Sequence, residues 1–179
     1  MCKANVFFSY HYAFDAERAA VVRGLNLVHA NTPEPLDRWS DISSDIGRTR
    51  EWIAESLARH DVLVVLVGER TSNRPLVHLE IEQAAALEMP IVGVRIHRLA
   101  PSSTRGHGRG LNPFDRLKLH DRAGQVFRPR LVETSTVDPV GDLRANLGRW
   151  VQRAWRNEFT RERRAEEFIA SLRDEAVGG

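Results

Sequence analysis

A glutamate inside an apolar helical segment is the residue whose position most needs a chemical explanation. The segment 74–88 predicts a helix that begins at Pro75, because a first helical position does not need the N–H that proline lacks. Glu80 shares one face of this helix with three apolar residues: Leu76, Ala84 and Leu87. A carboxylate in such a row is either a solvated residue at the edge of the stripe or a group retained for chemistry, and helical spacing alone leaves both interpretations open.

A polar, aromatic corner supplies further candidate residues. The segment 5–10 is β-branched and aromatic, which predicts a buried strand, and Ser9, Tyr10 and His11 lie at its end. A Ser9–His11 nucleophile is conceivable. However, neighbours in sequence rarely reach that geometry, and no nucleophile-elbow motif surrounds Ser9.

Several other chemistries lack their sequence signatures. The seven histidines are scattered and Cys2 is the single cysteine, so we expect no metal site and no internal disulfide. The first predicted strand leads into Ser-Tyr-His rather than a glycine loop, so neither a dinucleotide fingerprint nor a phosphate-binding P-loop follows it. The acidic cluster of a phospho-receiver is also missing there.

A lone carboxylate can still serve the cleavage of NAD between nicotinamide and ribose. The leaving group is already a cationic pyridinium, so it needs no general acid, unlike most glycoside hydrolysis. One carboxylate could hold the ribose hydroxyls and stabilise the positive charge that develops at the anomeric carbon. Tyr10 or Trp39 could stack on a ring of the substrate, although Trp39 also suits a core position.

Alternating elements are expected to bring these residues together. The apolar runs 62–67 and 90–96 predict buried strands, with a helix before the first and the Glu80 helix between them. This order predicts a parallel α/β sheet with helices on both faces. Ligands bind beyond the carboxyl ends of such strands, which here are residues 9–12, the loop after Trp39 and the loop at Thr71.

The remaining elements complete one domain, predicted over residues 1–158. Asp15 is expected to cap the first helix, residues 36–39 to form a short strand, and residues 126–133 a strand interrupted by Pro129. An amphipathic helix is predicted over 142–158. The charged helical tail 159–179 could dock on the domain, pair with another subunit in a homo-oligomer, or fray.

A basic, glycine-rich segment precedes an Asn-Pro turn. Arg105 and Arg109 alternate with glycines, and this pattern favours either a phosphate-binding loop or a mobile, solvated one. Asn112 could likewise bind phosphate or only fix the turn with Pro113. Binding of nucleic acid through these arginines is the weakest interpretation, because 26 basic residues stand against 24 acidic ones.

Composition limits where the protein acts. No apolar run approaches the roughly 20 residues that span a bilayer, and the N-terminus carries no signal-peptide pattern. With its single cysteine, the chain is expected to be cytoplasmic and to have no membrane partner.

Four pieces in order resemble the TIR-like ThsB proteins of the Thoeris anti-phage system. They are the strand and corner 6–12, Val67-Gly68 with Thr71, the helix start 76–81, and Asn112-Pro113-Phe114-Asp115. Each motif is short, but their order and spacing make the resemblance specific.

The resemblance implies a flavodoxin-like, TIR-like fold and an enzyme that consumes NAD as a substrate, with no cofactor. Glu80 would be the catalytic residue, and Ser9, Tyr10 and His11 would form part of the substrate pocket. Phe8, Trp39 and Asn112 are further candidates for binding the substrate. The product would be an ADP-ribose-derived messenger, either a cyclic ADP-ribose isomer or a histidine conjugate. A phage component would trigger its synthesis, and a separate effector protein would respond. The alternative is a non-catalytic TIR-like module that uses the same fold to bind a partner.

Overall fold

The computed structural model describes residues 4–31, 46–99, 108–121 and 123–157. Several predictions fall outside these ranges: the strand at 36–39 with Trp39, Arg105, and the tail 159–179. Among the described residues, no helix combines the length and the apolar character that crossing a membrane requires.

A five-stranded parallel sheet forms the centre of the domain. Its strands are β1 (Asn5–Ser9), β2 (His29–Ala30), β3 (Val62–Val67), β4 (Ile91–Arg95) and β7 (Arg130–Val132), in the spatial order β2-β1-β3-β4-β7. This is the flavodoxin-like order, in which the sheet is built outward in both directions from a switch point between β1 and β3. The predicted parallel α/β fold is confirmed.

In the described part of the chain, four helices cover the two faces of the sheet. They are α1 (Tyr12–Gly24), α2 (Ile46–Leu57), α3 (Pro75–Ala86) and α4 (Pro139–Trp155). Helices α1 and α4 share a core cluster with one face of the sheet, and α2 and α3 share a second cluster with the other face. All six residues of β3 are buried, which explains why its sequence is continuously apolar rather than alternating.

Three element predictions need correction. Asp15 does not cap α1: the helix begins at Tyr12, the amides of Phe14 and Asp15 bond to the carbonyl of His11, and the Asp15 carboxylate is buried in an ion pair with Arg18. Helix α4 begins at Pro139 rather than at residue 142, because Asp138 accepts a hydrogen bond from the amide of Gly141 and so caps the helix.

The predicted strand at 126–133 is two strands. Pro129 separates β6 (Val126–Phe127), which pairs antiparallel with β5 (Leu119–His120), from β7, which joins the main sheet. Proline cannot donate a ladder hydrogen bond, so the chain changes sheets at this point.

The segment 108–116 lies against the loop that joins β3 to α3. The amide of Gly108 donates to Oε2 of Glu69, and a short 3₁₀ turn, Pro113–Arg116, places Phe114 against Gly93 of β4. Gly110 has a φ of 67°, and a Cβ there would lie 2.4 Å from the carbonyl oxygen of Gly68. The two loops are therefore in backbone contact beside the start of the Glu80 helix.

Candidate active site

Glu80 and Ser9 meet at the carboxyl end of β1. The Ser9 hydroxyl donates a hydrogen bond of 2.5 Å to Oε2 of Glu80. Ser9 is the last residue of β1, and Glu80 lies in the second turn of α3, which packs on the same face of the sheet as Phe7. The pair thus lies at the switch point between β1 and β3, where doubly wound sheets bind ligands.

Burial makes the Glu80 carboxyl group unusual. The residue is only 6% exposed, whereas Leu87, in the same helical row, is 46% exposed. The solvated-edge interpretation of Glu80 is therefore wrong. Burial raises the pKa of Glu80 from 4.5 to about 7, against the smaller lowering effects of the Ser9 hydrogen bond and the Arg74 charge. Near neutral pH, Glu80 therefore exists in both its ionised and its protonated form.

One cationic group, Arg74, acts on both this carboxyl group and His11. Arg74 immediately precedes α3. Burial lowers the pKa of His11, and Arg74 lowers it further, which favours the neutral imidazole. The Nδ1 atom of His11 is buried and has no hydrogen-bond partner within the described residues. The ring of His11 contacts Phe14 edge to face.

Tyr10 lies at the same strand end and is held from the opposite face of the sheet. Its ring stacks on Tyr12, with centroids 6.1 Å apart. Burial raises the pKa of Tyr10, while the charge of Arg23 and a hydrogen bond with it lower that pKa less strongly. Arg23 is itself anchored, because its guanidinium lies over the Phe8 ring and donates to Asn31. The two tyrosines therefore form a supported aromatic surface next to His11.

The other predicted substrate-binding residues do not join Ser9, Tyr10 and His11. Phe8 is 3% exposed and packs in the core with α1 and α4, because alternation along β1 turns it away from the face that carries Ser9. The side chain of Asn112 accepts a hydrogen bond of 3.1 Å from the amide of Phe114, so it caps the 3₁₀ turn. Trp39 lies outside the described residues.

Sequence analysis missed two buried charged groups near this edge of the sheet. Arg18 pairs with Asp15 at 2.8 Å and also donates to the carbonyl of Leu99 after β4. Arg95, at the end of β4, pairs with Glu133. The spacing of Asp15 and Arg18, three apart in a helix, was the available signal for the first pair. The strand register that places Arg95 beside Glu133 has no comparable sequence signal.

Comparison with known proteins identifies the family. The family model described as Thoeris protein ThsB, TIR-like domain, matches residues 7–101, which is just over half of the chain. The chain belongs to this family. No curated protein matches it significantly.

Membership in the ThsB TIR-like family indicates a role in anti-phage defence. The matched region contains the last three residues of β1 and all of β3, α3 and β4, and so contains both Ser9 and Glu80. The resemblance found in the short motifs is confirmed, and it coincides with the part of the fold that builds this edge of the sheet. Within the described residues, no group of three or more His, Cys, Asp or Glu side chains is arranged to hold a metal ion.

Proposed function

We propose that this ThsB-family protein cleaves NAD between nicotinamide and ribose, and that Glu80 is its catalytic residue. The observation that carries the proposal is the buried Ser9–Glu80 pair at the carboxyl end of β1. Burying a carboxyl group is costly, and its retention at the ligand-binding edge of a parallel sheet is typical of a functional site rather than of a structural one.

The ionised form of Glu80 performs the chemistry. Its carboxylate accepts hydrogen bonds from the ribose hydroxyls and stabilises the positive charge that builds up on the anomeric carbon. The carbon–nitrogen bond breaks with its electron pair moving to the pyridinium nitrogen, so nicotinamide leaves as a neutral molecule. The Ser9 hydroxyl holds one carboxylate oxygen in place and favours the ionised form.

The substrate itself assists this ionisation. The nicotinamide ring of NAD is a cation, and a positive charge next to a buried carboxyl group lowers its pKa. With the pKa of free Glu80 at about 7, binding of NAD then releases a proton near neutral pH. The stacked Tyr10 and Tyr12 rings offer an aromatic surface for a ring of the dinucleotide.

Capture of the ribosyl carbon would complete the reaction. An internal nucleophile of the same substrate gives a cyclic ADP-ribose isomer, and histidine as the acceptor gives a conjugate. We propose that this ADP-ribose-derived messenger activates a separate effector protein once infection has triggered the enzyme.

The test is nicotinamide release from NAD by the full chain, with and without extract of phage-infected cells. We expect activity in the wild type, a loss of at least about 100-fold in Glu80→Gln, and normal activity in Glu82→Gln. Glu82 is the matched control because it is an exposed glutamate two residues away on the same helix. Equal activity of Glu80→Gln and the wild type would reject the role of Glu80.

The alternative, a non-catalytic interaction module, makes a different prediction. In that case neither the purified protein nor the protein in infected-cell extract would bind or turn over NAD, while a partner protein would co-purify with it.

A further inference from the structure

Three arginines converge on one carboxylate at the carboxyl ends of β4 and β7. The register that pairs Val94 with Val132 places the next residues, Arg95 and Glu133, side by side. Oε1 of Glu133 lies 3.2 Å from Nε of Arg95 and 2.5 Å from Nη2 of Arg109. Oε2 lies 3.5 Å from Nη1 of Arg98. We call these four residues the Glu133 cluster.

The charges of the Glu133 cluster do not balance. Three guanidinium groups surround a single carboxylate, which leaves two positive charges without a counter-anion within the cluster. Arg95 is buried, and its Nη1 donates to the backbone carbonyls of Arg109 and Gly110, so it fixes the position of that segment. Burial of an arginine with incomplete neutralisation is expensive and needs a reason.

Two of the arginines still have donors to offer. The Arg109 side chain is 64% exposed and that of Arg98 is 27% exposed. Within the described residues, Nη1 of Arg109 and both Nε and Nη2 of Arg98 make no hydrogen bond. Planar guanidinium groups with free paired donors are the groups that proteins use to bind phosphoryl oxygens.

Glu133 occupies the position that such an anion would take. Burial works to raise the pKa of Glu133, but the hydrogen bond and charge of Arg109 and the charges of Arg95 and Arg98 outweigh it, so the pKa is lowered. Glu133 is therefore ionised at neutral pH. Its contact with Arg98 is 3.5 Å and its side chain is 37% exposed, so the position of this carboxylate is open to solvent.

The cluster lies on the same face of the sheet as Ser9. In register, Ser9 pairs with Val65 and Val65 with Gly93, and Arg95 is two residues beyond Gly93 on the same face. Two strand spacings separate it from Ser9 across the sheet, which is on the order of 10 Å. Ligands of both sites would share the carboxyl edge of the sheet.

We infer that the Glu133 cluster is a phosphoryl-binding site, in which Arg98 and Arg109 bind the anion, Arg95 supplies a buried positive charge, and the ligand displaces the Glu133 carboxylate. The site stands on its own geometry and does not depend on NAD cleavage. The phosphoryl group could belong to a dinucleotide that also reaches Glu80 or to a separate phosphorylated ligand.

The test is calorimetric titration of the full chain with inorganic pyrophosphate. We expect saturable binding that weakens at least about tenfold in Arg98→Gln and in Arg109→Gln, and tightens by a similar factor in Glu133→Gln, because the competing carboxylate is gone. Arg128→Gln is the matched control, since it breaks the exposed Arg128–Asp115 ion pair elsewhere on the surface, and binding should be unchanged.

A ligand site predicts that Glu133→Gln tightens pyrophosphate binding while Arg109→Gln weakens it. A purely structural ion-pair cluster does not predict these opposite changes in affinity. Absence of pyrophosphate binding in the wild type, or equal weakening by Glu133→Gln and Arg109→Gln, would overturn the inference. If Glu133→Gln fails to fold, Arg109→Lys takes its place: it keeps the charge but loses the paired donors, and affinity equal to that of the wild type would count against the site. If NAD displaces pyrophosphate from the Glu80→Gln variant, the phosphoryl group that binds here belongs to a dinucleotide. If pyrophosphate stays bound in the presence of NAD, the site binds a separate phosphorylated ligand.

Discussion

The hydroxyl of Ser9 donates to the carboxyl group of Glu80 across 2.5 Å, although the two residues are 71 positions apart in the chain. One is the last residue of a central strand and the other lies in the second turn of a helix that packs beside it. This bond holds a carboxyl group inside the protein at the edge where ligands of such sheets bind.

Replacing Glu80 by glutamine should stabilise the protein at neutral pH. The pKa of Glu80 is about 7 in the folded protein and 4.5 in the unfolded chain. Its contribution to stability is therefore complete below pH 4.5 and is lost as pH rises through 7, by about 3 kcal/mol in total. Glutamine has the same shape and never ionises. The free energy of unfolding of Glu80→Gln should therefore rise relative to that of the wild type as the pH increases from 4.5 through 7.

Urea unfolding of the wild type and Glu80→Gln between pH 4.5 and pH 8 measures this change. Glu82→Gln is again the control and should follow the wild type, because Glu82 is exposed. A stability difference between Glu80→Gln and the wild type that stays constant across the window would contradict the raised pKa.

Removing the Ser9 hydroxyl should raise the pKa of Glu80 further. The Ser9 hydrogen bond favours the ionised carboxylate, so Ser9→Ala should shift the titration of Glu80 up by about one pH unit. Side-chain ¹³C NMR of glutamate-labelled protein, with Glu80→Gln used to assign the signal, follows the carboxyl group directly. Ser56→Ala, in α2, removes a hydroxyl from another helix and should leave the titration unchanged.

The same shift should appear in catalysis. If the ionised carboxylate is the active form, kcat/KM rises with pH through about 7 in the wild type. In Ser9→Ala this rise should move to higher pH. If the pH profiles of kcat/KM had the same midpoint in the wild type and in Ser9→Ala, the group that controls activity would not be the carboxyl group bonded to Ser9.

A methyl group at Gly110 should push two loops apart. Gly110 and Gly124 both have positive φ values, 67° and 73°, so alanine is strained at either position. Only at Gly110 does the added Cβ meet backbone, 2.4 Å from the Gly68 oxygen, whereas nothing lies within 4 Å at Gly124. Gly110→Ala should therefore cost about 1–3 kcal/mol more than Gly124→Ala. Chemical denaturation measures both, and equal costs would mean that the loop contact is not maintained.

Loss of Arg18 should be far more damaging than loss of a surface arginine. Arg18 and Asp15 are both 2% exposed, so Arg18→Met leaves a carboxylate buried without its guanidinium partner, at a cost of about 3–5 kcal/mol. Arg128→Met, in a half-exposed pair with Asp115, should cost less than about 1 kcal/mol.

Thermal unfolding of Arg18→Met, Arg128→Met, Asp15→Asn and the Asp15→Asn/Arg18→Met double variant checks this comparison. The double variant should recover part of the loss, because the buried carboxylate charge is removed together with the guanidinium group that pairs with it. A double variant as unstable as the sum of its parts would argue that Arg18 acts through packing alone.

Sequence patterns predicted the central strands well because a strand that is buried on both faces needs apolar residues at every position. The continuous apolar run 62–67 and the start of α3 at Pro75 match the structure. The start of α4 was placed three residues late because apolar periodicity begins inside the helix, whereas its cap, Asp138, lies in a polar turn. Asp15 pairs with Arg18 instead of capping α1, and the sequence does not distinguish these roles because an aspartate suits both.

The candidate site was predictable in its identity but not in its geometry. Glu80 stood out from an apolar row and Ser9 from the end of a strand, yet the bond between them depends on how α3 packs over β1. Phe8 is next to Ser9 in the chain, but period-two alternation places it on the other face of the sheet. The Glu133 cluster joins residues from two strands and a loop, so only the sheet register brings them together.

The 71-residue separation between Ser9 and Glu80 also concerns how the protein folds. Besides its short pairing with β2, β1 pairs with β3, so a loop of more than 50 residues has to close before this central ladder forms. Non-local parallel pairings of this kind form slowly. A nascent chain contains both Ser9 and Glu80 only after synthesis has passed residue 80. Glu80 therefore meets Ser9 only once β1 and β3 have paired, so a nascent or partly unfolded chain without this pairing also lacks the buried carboxyl group.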